Sequence, residues 1–247
     1  DAIRTKDFDW NISLNLAHNE NEVTRLSNDV FTMDKILLGD VFIRGGSSSG
    51  THVLEEGRPI GQFYGLVCNG IDENGRYIMV DKDGDGEISD PADYDYIGSA
   101  QPKLTYGITN SFRYKNFDLS FFLRGTIGND ILNATRMAYA QSGFLPGTNA
   151  LDDPLTYTLS ETPRFSNYYL EKGSFMRLDN LTLGYKIKAL NGIRVYFTAQ
   201  NLFVITKYKG LDPEVPMDSG DGLTPGVEPR EFYPKARTFS VGLNLNF

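Results

Sequence analysis

From Phe239 to the last residue, every odd position carries a large apolar side chain: Phe239, Val241, Leu243, Leu245 and Phe247. The even positions between them hold Ser240, Gly242, Asn244 and Asn246. This period-two alternation puts every apolar group on one face of an extended strand and every small or polar group on the other. A strand of that kind has to lie between two environments. A transmembrane β-barrel supplies them as lipid outside and water inside, and ending a chain on Phe after such a strand is typical of that architecture. A soluble β-sandwich strand alternates in the same way, so both architectures remain open on this feature alone.

The signature recurs along the chain. Phe8, Trp10, Ile12, Leu14 and Leu16 alternate with Asp9, Asn11, Ser13 and Asn15. Leu104, Tyr106, Ile108, Phe112 and Tyr114 share one parity, and after Lys115-Asn116 it passes to Phe117, Leu119, Phe121 and Leu123, which predicts a hairpin. Leu181, Leu183, Tyr185 and Ile187 lead to Asn191-Gly192, a strong two-residue turn signal, and then to Ile193, Val195, Phe197 and Ala199. About eight strands are expected, some of the nine candidate stretches being weak: 7–17, 20–26, 37–44, 58–68, 103–115, 117–126, 174–188, 193–205 and 236–247, with a short helix between Asn129 and Gln141. The connections at 115–116 and 191–192 are short, whereas those at 126–172 and 206–235 are long. Short turns on one rim and long loops on the other is the asymmetry of a membrane barrel.

Composition limits the alternatives. Hydrophobic residues make up 40% and mean hydropathy is -0.33, values that fit a soluble protein and an alternating barrel equally. No apolar run of about 18 residues exists, which excludes a transmembrane helix and says nothing about strands. The 14 Tyr and 16 Phe against a single Trp suit interfacial aromatic girdles. A net charge of -8 with no Lys/Arg cluster argues against a nucleic-acid partner. The single cysteine, Cys68, cannot make an internal disulfide and reads as a small buried apolar residue. His18 and His52 lie in unrelated contexts, so no Ser/His/carboxylate or zinc constellation assembles and no enzyme activity is expected.

The segments that follow carry a family resemblance. They are Gly57-Arg58-Pro59-Ile60-Gly61-Gln62-Phe63-Tyr64-Gly65, Asp81 to Ile88, Tyr96 to Pro102, Tyr106-Gly107 and Tyr114 to Ser120, then Gly173 to Tyr185, Gln200-Asn201-Leu202-Phe203, Thr206 to Val215 and the terminal strand. In this order they resemble the SusC/RagA type of TonB-dependent outer-membrane transporters, importers of glycans and peptides. The resemblance covers essentially the whole chain. It implies an all-β fold in which residues 1–247 are the C-terminal part of an antiparallel transmembrane barrel of about 22 strands. It also implies an N-terminal plug domain and TonB box that would lie outside this chain, the rest of the barrel and outer-membrane lipid as surroundings, and a SusD-like surface lipoprotein as partner. The abrupt start at Asp1, without initiator Met or signal sequence, fits an internal fragment. Recognition of Phe239, Val241, Leu243, Leu245 and Phe247 as an assembly signal is expected on the same reading.

The sharpest chemical motif is Asp81-Lys82-Asp83-Gly84-Asp85-Gly86-Glu87, the head of an EF-hand loop. Carboxylates at the first, third and fifth positions and the Glu87 carbonyl would converge on Ca²⁺, with Gly86 making the sharp turn. The twelfth position is Ala92 rather than a bidentate Glu, so Asp90 or Asp93 would have to complete the shell. A solvated Asp-Gly turn without metal accounts for the same residues. Gly125, Gly128 and Asn129 are expected at a strand end, and Pro213, Pro216 and Pro225 in a broken loop. Tyr168-Tyr169 and Phe232-Tyr233 are expected as anchors at the bilayer rim, with sugar stacking as the other use. Asn11, Ser13, Asn15, Thr182, Asn244 and Asn246 would line water or a plug. The alternative from another class is a soluble secreted β-sandwich that binds carbohydrate and keeps the loop as structural calcium.

Overall fold

The computed structural model describes residues 2–44, 46–188, 193–215, 222–230 and 233–245. In chain order its strands are β1 Ile3–Arg4, β2 Phe8–Ala17, β3 Lys35–Ile43, β4 Gly46–Glu55, β5 Gln62–Gly65, β6 Cys68–Ile71, β7 Tyr77–Met79 and β8 Asp95–Ser99. They continue as β9 Leu104–Tyr114, β10 Phe117–Ile127, β11 Asp130–Leu132, β12 Leu170–Lys172, β13 Phe175–Ile187, β14 Ile193–Thr206 and β15 Thr238–Asn244. Seven of them form one antiparallel sheet in the order β1-β2-β9-β10-β13-β14-β15, here called the wall.

The register explains why alternation is strictest in the wall strands. Trp10, Phe112, Leu119, Leu183, Phe197 and Val241 lie opposite one another across six strands and form one unbroken apolar row. One residue along, Asn11, Ser111, Ser120, Thr182, Thr198 and Ser240 form a wholly polar row on the other face. A slip of one residue in any strand would place its entire apolar set among hydroxyls, so the register is fixed by the pattern. The five longest wall strands run 10 to 14 residues, enough for a tilted crossing of a hydrocarbon core, which takes about 9–11.

The turn at Lys115–Asn116 is tight, with Lys115 at a φ of 53°, and Tyr114 and Phe117 face each other across it. Asn191-Gly192 lies outside the described residues. Every long connection leaves from the opposite rim, where Ala17 pairs with Thr105 and Thr126 with Phe175.

Three of the expected strand ranges need correction. Residues 18–103 do not add strands to the wall but leave it as one excursion. Residues 20–26 form no strand, 37–44 falls in β3, and 58–68 shrinks to β5. β3, β4, β5 and β8 pair into a separate four-stranded sheet beside the two-stranded β6–β7 ribbon. Gly57, Pro59 and Gly61 cut the apolar run there to a length that suits a small sheet. The wall therefore has six expected strands plus the short β1.

The excursions 18–103 and 128–174 pack together as a cap with its own core: Val41, Ile43, Phe63, Leu132, Met137, Leu155, Phe165 and Tyr169. The expected helix is α1, Ala134–Tyr139, whose first turn is capped by Asn133 accepting from the Arg136 amide. The rim-anchor expectation for Tyr168-Tyr169 is overturned by this core. Tyr169 is buried in it, with its hydroxyl 2.6 Å from that of Tyr77, and Tyr168 stands edge-on to both rings. Cys68 is buried, as expected.

Candidate functional site

The wall presents two chemically opposite surfaces. On its apolar face Ile12, Leu14 and Leu16 are 50–60% exposed, and Phe239, Val241, Leu243 and Leu245 are 50–76% exposed. Side chains this large and this apolar, in a contiguous sheet, constitute a surface that water does not favour. Phe247 and Asn246 lie outside the described residues.

The polar face is tied together by ions at both ends. Toward the tight-turn rim, Arg113 pairs with Asp9, and Arg194 reaches across β13 to Asp118 with a bidentate grip. That reach is possible because Gly184 stands between them, where a Cβ would collide with both side chains. Asn11, Ser13, Asn15, Thr182 and Asn244 all share this face with the paired ions.

Toward the long-loop rim lies a denser network. Arg124 of β10 and Arg177 of β13 sit directly opposite one another. Arg124 donates to both oxygens of Glu214, at 2.6 and 3.0 Å, and to Asp179 at 3.0 Å. Arg177 donates to Asp212 at 2.5 Å and to Asn201, and Lys235 donates to Glu214. Burial works against ionisation of Glu214, but the hydrogen bonds from Arg124 and Lys235 prevail and hold its carboxyl below the usual range. Backbone irregularities make the room: the pairing shifts register around Asp179, and Asn201 adopts a φ of 52°, a conformation asparagine tolerates better than most residues. Beneath the network a cavity of about 510 Å³ is lined by Phe122, Phe175, Pro213, Val215 and Ile131.

None of these pairings was readable from spacing. Arg124 and Glu214 are 90 residues apart and Arg177 and Asp212 are 35 apart. The one available signal was Arg124 on the polar parity of β10, because Arg177 falls on the apolar parity of β13 in the sequence and reaches the polar face only through the register shift around Asp179.

The Asp-rich loop lies in the cap. Asp81, Asp83 and Asp85 bring carboxylate oxygens within 4.8 Å of one another. Asp81 accepts from the Gly84 and Gly86 amides, and both glycines have positive φ, +78° and +90°, which lets the chain fold around that carboxylate. Asp85 accepts from the Glu87 amide. Asp93 is buried and takes the amides of Lys82 at 2.6 Å and Ser89 at 2.8 Å, which hold its carboxyl below the ordinary range. Asp90 is held by Arg164 at 2.6 Å. The structure thus gathers three of the six residues expected at a cation, and Asp90 and Asp93 serve to close the loop. Three carboxylates are an appropriate hard-oxygen start for Ca²⁺, which takes 6–8 oxygens, the balance falling to carbonyls, second carboxylate oxygens or water.

The histidines go elsewhere. His52 is buried, with Nδ1 2.9 Å from the Thr51 hydroxyl and Nε2 2.9 Å from the Pro225 carbonyl. His18 is exposed beside the Lys103 carbonyl and Glu20.

No protein-family model matches the chain. The TonB-dependent receptor SusC of Bacteroides thetaiotaomicron is 36% identical over 99% of this chain and 25% of its own length. The TonB-dependent receptor P3 of Formosa agariphila is 32% identical over 99% of this chain and 27% of its own length. Among solved structures, the RagAB peptide transporter superposes with a TM-score of 0.74 at 25% identity, over 98% of this chain and 27% of that one. The chain therefore spans about a quarter of the length of the relatives it matches.

Proposed function

Because the chain belongs to the SusC/RagA type of TonB-dependent receptors, as a C-terminal part of the β-barrel, we propose that it forms part of the wall of an outer-membrane importer. The observation that carries this is the unbroken apolar row from Trp10 to Val241, backed one residue along by an unbroken polar row. In a soluble sandwich the apolar row would be the covered face, whereas here Leu183, Phe197 and Val241 of that row are 38–76% exposed and none of its residues is buried. Lipid outside and a wet lumen inside account for both rows. β1 and β15 end the sheet, and open edges are not viable in hydrocarbon, so both would be paired by the remaining strands of the same receptor.

On this reading the receptor is energised through TonB, works with a SusD-like surface lipoprotein and imports glycans or peptides. The relatives are TonB-dependent receptors, which supports TonB dependence, and RagAB is a peptide transporter, which supports peptides for that relative. The role is import rather than bond chemistry. The apolar residues of β15, with Phe247, serve as the assembly signal. Deleting Phe247 should then sharply lower the folded receptor in the outer membrane, and wild-type amounts would remove that part.

The test is fractionation of native cells and an immunoblot against this segment, with and without boiling in detergent. The expected result is an outer-membrane band well above 27.6 kDa that shifts on boiling. A soluble band that does not shift would reject the barrel wall. Growth of a receptor-deleted strain on glycans and on peptides separates the substrate classes.

The three converging carboxylates also favour Ca²⁺ at Asp81, Asp83 and Asp85, with a structural role in the cap. Titration of Ca²⁺ into the receptor should release or absorb heat that Asp83→Ala and Asp85→Ala abolish. No heat in the wild type would leave a solvated turn.

A further inference from the structure

Residues 207–215 leave the long-loop end of β14 and fold back over the polar face of the wall. Arg124 and Arg177 sit opposite one another on neighbouring strands, and like charges in that position push a sheet apart unless anions intervene. Two of the three anions that intervene belong to this segment. Glu214 lies between the guanidinium groups, 2.6 Å from Arg124 and 3.6 Å from Nε of Arg177, and Asp212 takes the other side of Arg177. Asp179 and Lys235 complete a set of three cations and three carboxylates. The centre is almost dry, with the Arg177 and Asp212 side chains 2% and 5% exposed.

The two ends of this clasp belong to different parts of the fold. On the wall, Asn201 holds Arg177 with its oxygen and donates to the Lys235 and Ala236 carbonyls. Toward the cap, the Lys209 amide donates to Glu171 at 2.7 Å and the Leu211 amide to the buried Glu228 at 3.0 Å. Residues 225–228 then join the cap core: the Leu132 amide donates to Gly226, the Glu228 amide to Leu132, and His52 meets the Pro225 carbonyl. Between the two ends, Pro213 and Val215 roof the apolar cavity over Phe122 and Phe175.

We propose that residues 207–215 are a strap, clasped by the Arg124–Arg177–Glu214–Asp212 network, that fastens the cap to the lumen side of the wall and keeps that part of the lumen covered. The proposal rests on the barrel reading above and adds a device to it. A strap made this way is a standing part of the receptor and not a free surface loop, because releasing it leaves the buried Arg177 without a carboxylate and Arg124 with Asp179 alone.

Hydrogen exchange of the purified full-length receptor in detergent tests this, with the boiling shift as a separate check of the barrel. In Glu214→Gln the amides of 207–215 should exchange about tenfold faster while those of 175–187 are unchanged. Lys235→Gln removes a half-exposed cation at the edge of the clasp and should give a smaller acceleration in the same peptides. If Glu214→Gln does not fold, as judged by loss of the boiling shift, Lys235→Gln decides alone. Unchanged exchange at 207–215 in folded variants would overturn the strap and leave the barrel intact. A wild-type receptor without a boiling shift would overturn the barrel and the strap with it.

Discussion

The wall and the cap are made from the same kinds of residue and bury them in opposite directions. In the cap, Phe63, Leu132 and Met137 are fully enclosed, and the sheets and short helices are arranged to exclude water from a shared interior. In the wall, Ile12, Leu14, Phe239 and Val241 stand outward and are 50–76% exposed, while Asn, Ser, Thr and paired ions occupy the other face. The cap supplies its own apolar solvent, whereas the wall requires one from outside. Their joint combines the two: ions on the wall side, and on the cap side hydrogen bonds from strap amides to Glu171 and Glu228 beside a small buried cluster of Ile131, Tyr208 and Val215.

The comparison breaks most visibly at its interiors. Phe63→Ala opens a cavity in the cap core and should cost about 3–5 kcal/mol. That loss should fall on the cap alone: hydrogen exchange should rise in β3, β4 and β5 while the boiling shift persists. Equal loss in β9 and β10 would mean that cap and wall share one core. Arg177→Met leaves Asp212 buried without its cation and should cost about 3–5 kcal/mol as well, read as a lower denaturant midpoint of the folded band. A change below about 1 kcal/mol would mean that water reaches the network freely.

A smaller effect separates the two faces of one strand. Leu14→Arg should cost about 2–4 kcal/mol in bilayers if Leu14 meets the hydrocarbon midplane. Ser13→Arg, one residue along and on the polar face, should cost little. Equal penalties at both positions would erase the difference between the faces.

The smallest predicted effect is in the Asp-rich loop and depends on pH. Asp93 is held below its ordinary range by the Ser89 and Lys82 amides, so its contribution is present above the ordinary aspartate range and is lost as pH falls through the depressed folded value. Exchange at 82–94 should quicken under acid in the wild type. Asp93→Asn should show that quickening already at neutral pH, with little further change on acidification.

Sequence made the wall legible because a surface between two solvents writes itself as period two, and β2, β9, β10, β13 and β14 are long enough to repeat it several times. The cap carries no such signal, for the same reason in reverse. β5 and β8 are only four and five residues long and can show no alternation to speak of. The Tyr168-Tyr169 pair is ambiguous in sequence because a tyrosine pair looks the same in a core as at an interface. The Asp81–Asp85 cluster was visible because its members are adjacent in sequence. The Arg124–Glu214 contact was not, because it depends on a loop returning across 90 residues.

The most direct test of the central claim is spin-label accessibility along β2 of the full-length receptor in lipid vesicles, with single cysteines from position 11 to 16. Labels at 12, 14 and 16 should be reached by oxygen from the bilayer and not by a water-soluble nickel complex, and labels at 11, 13 and 15 should show the reverse or be shielded by lumen contents. Shielding of 12, 14 and 16 from both reagents would place the apolar row inside a protein core and contradict the account.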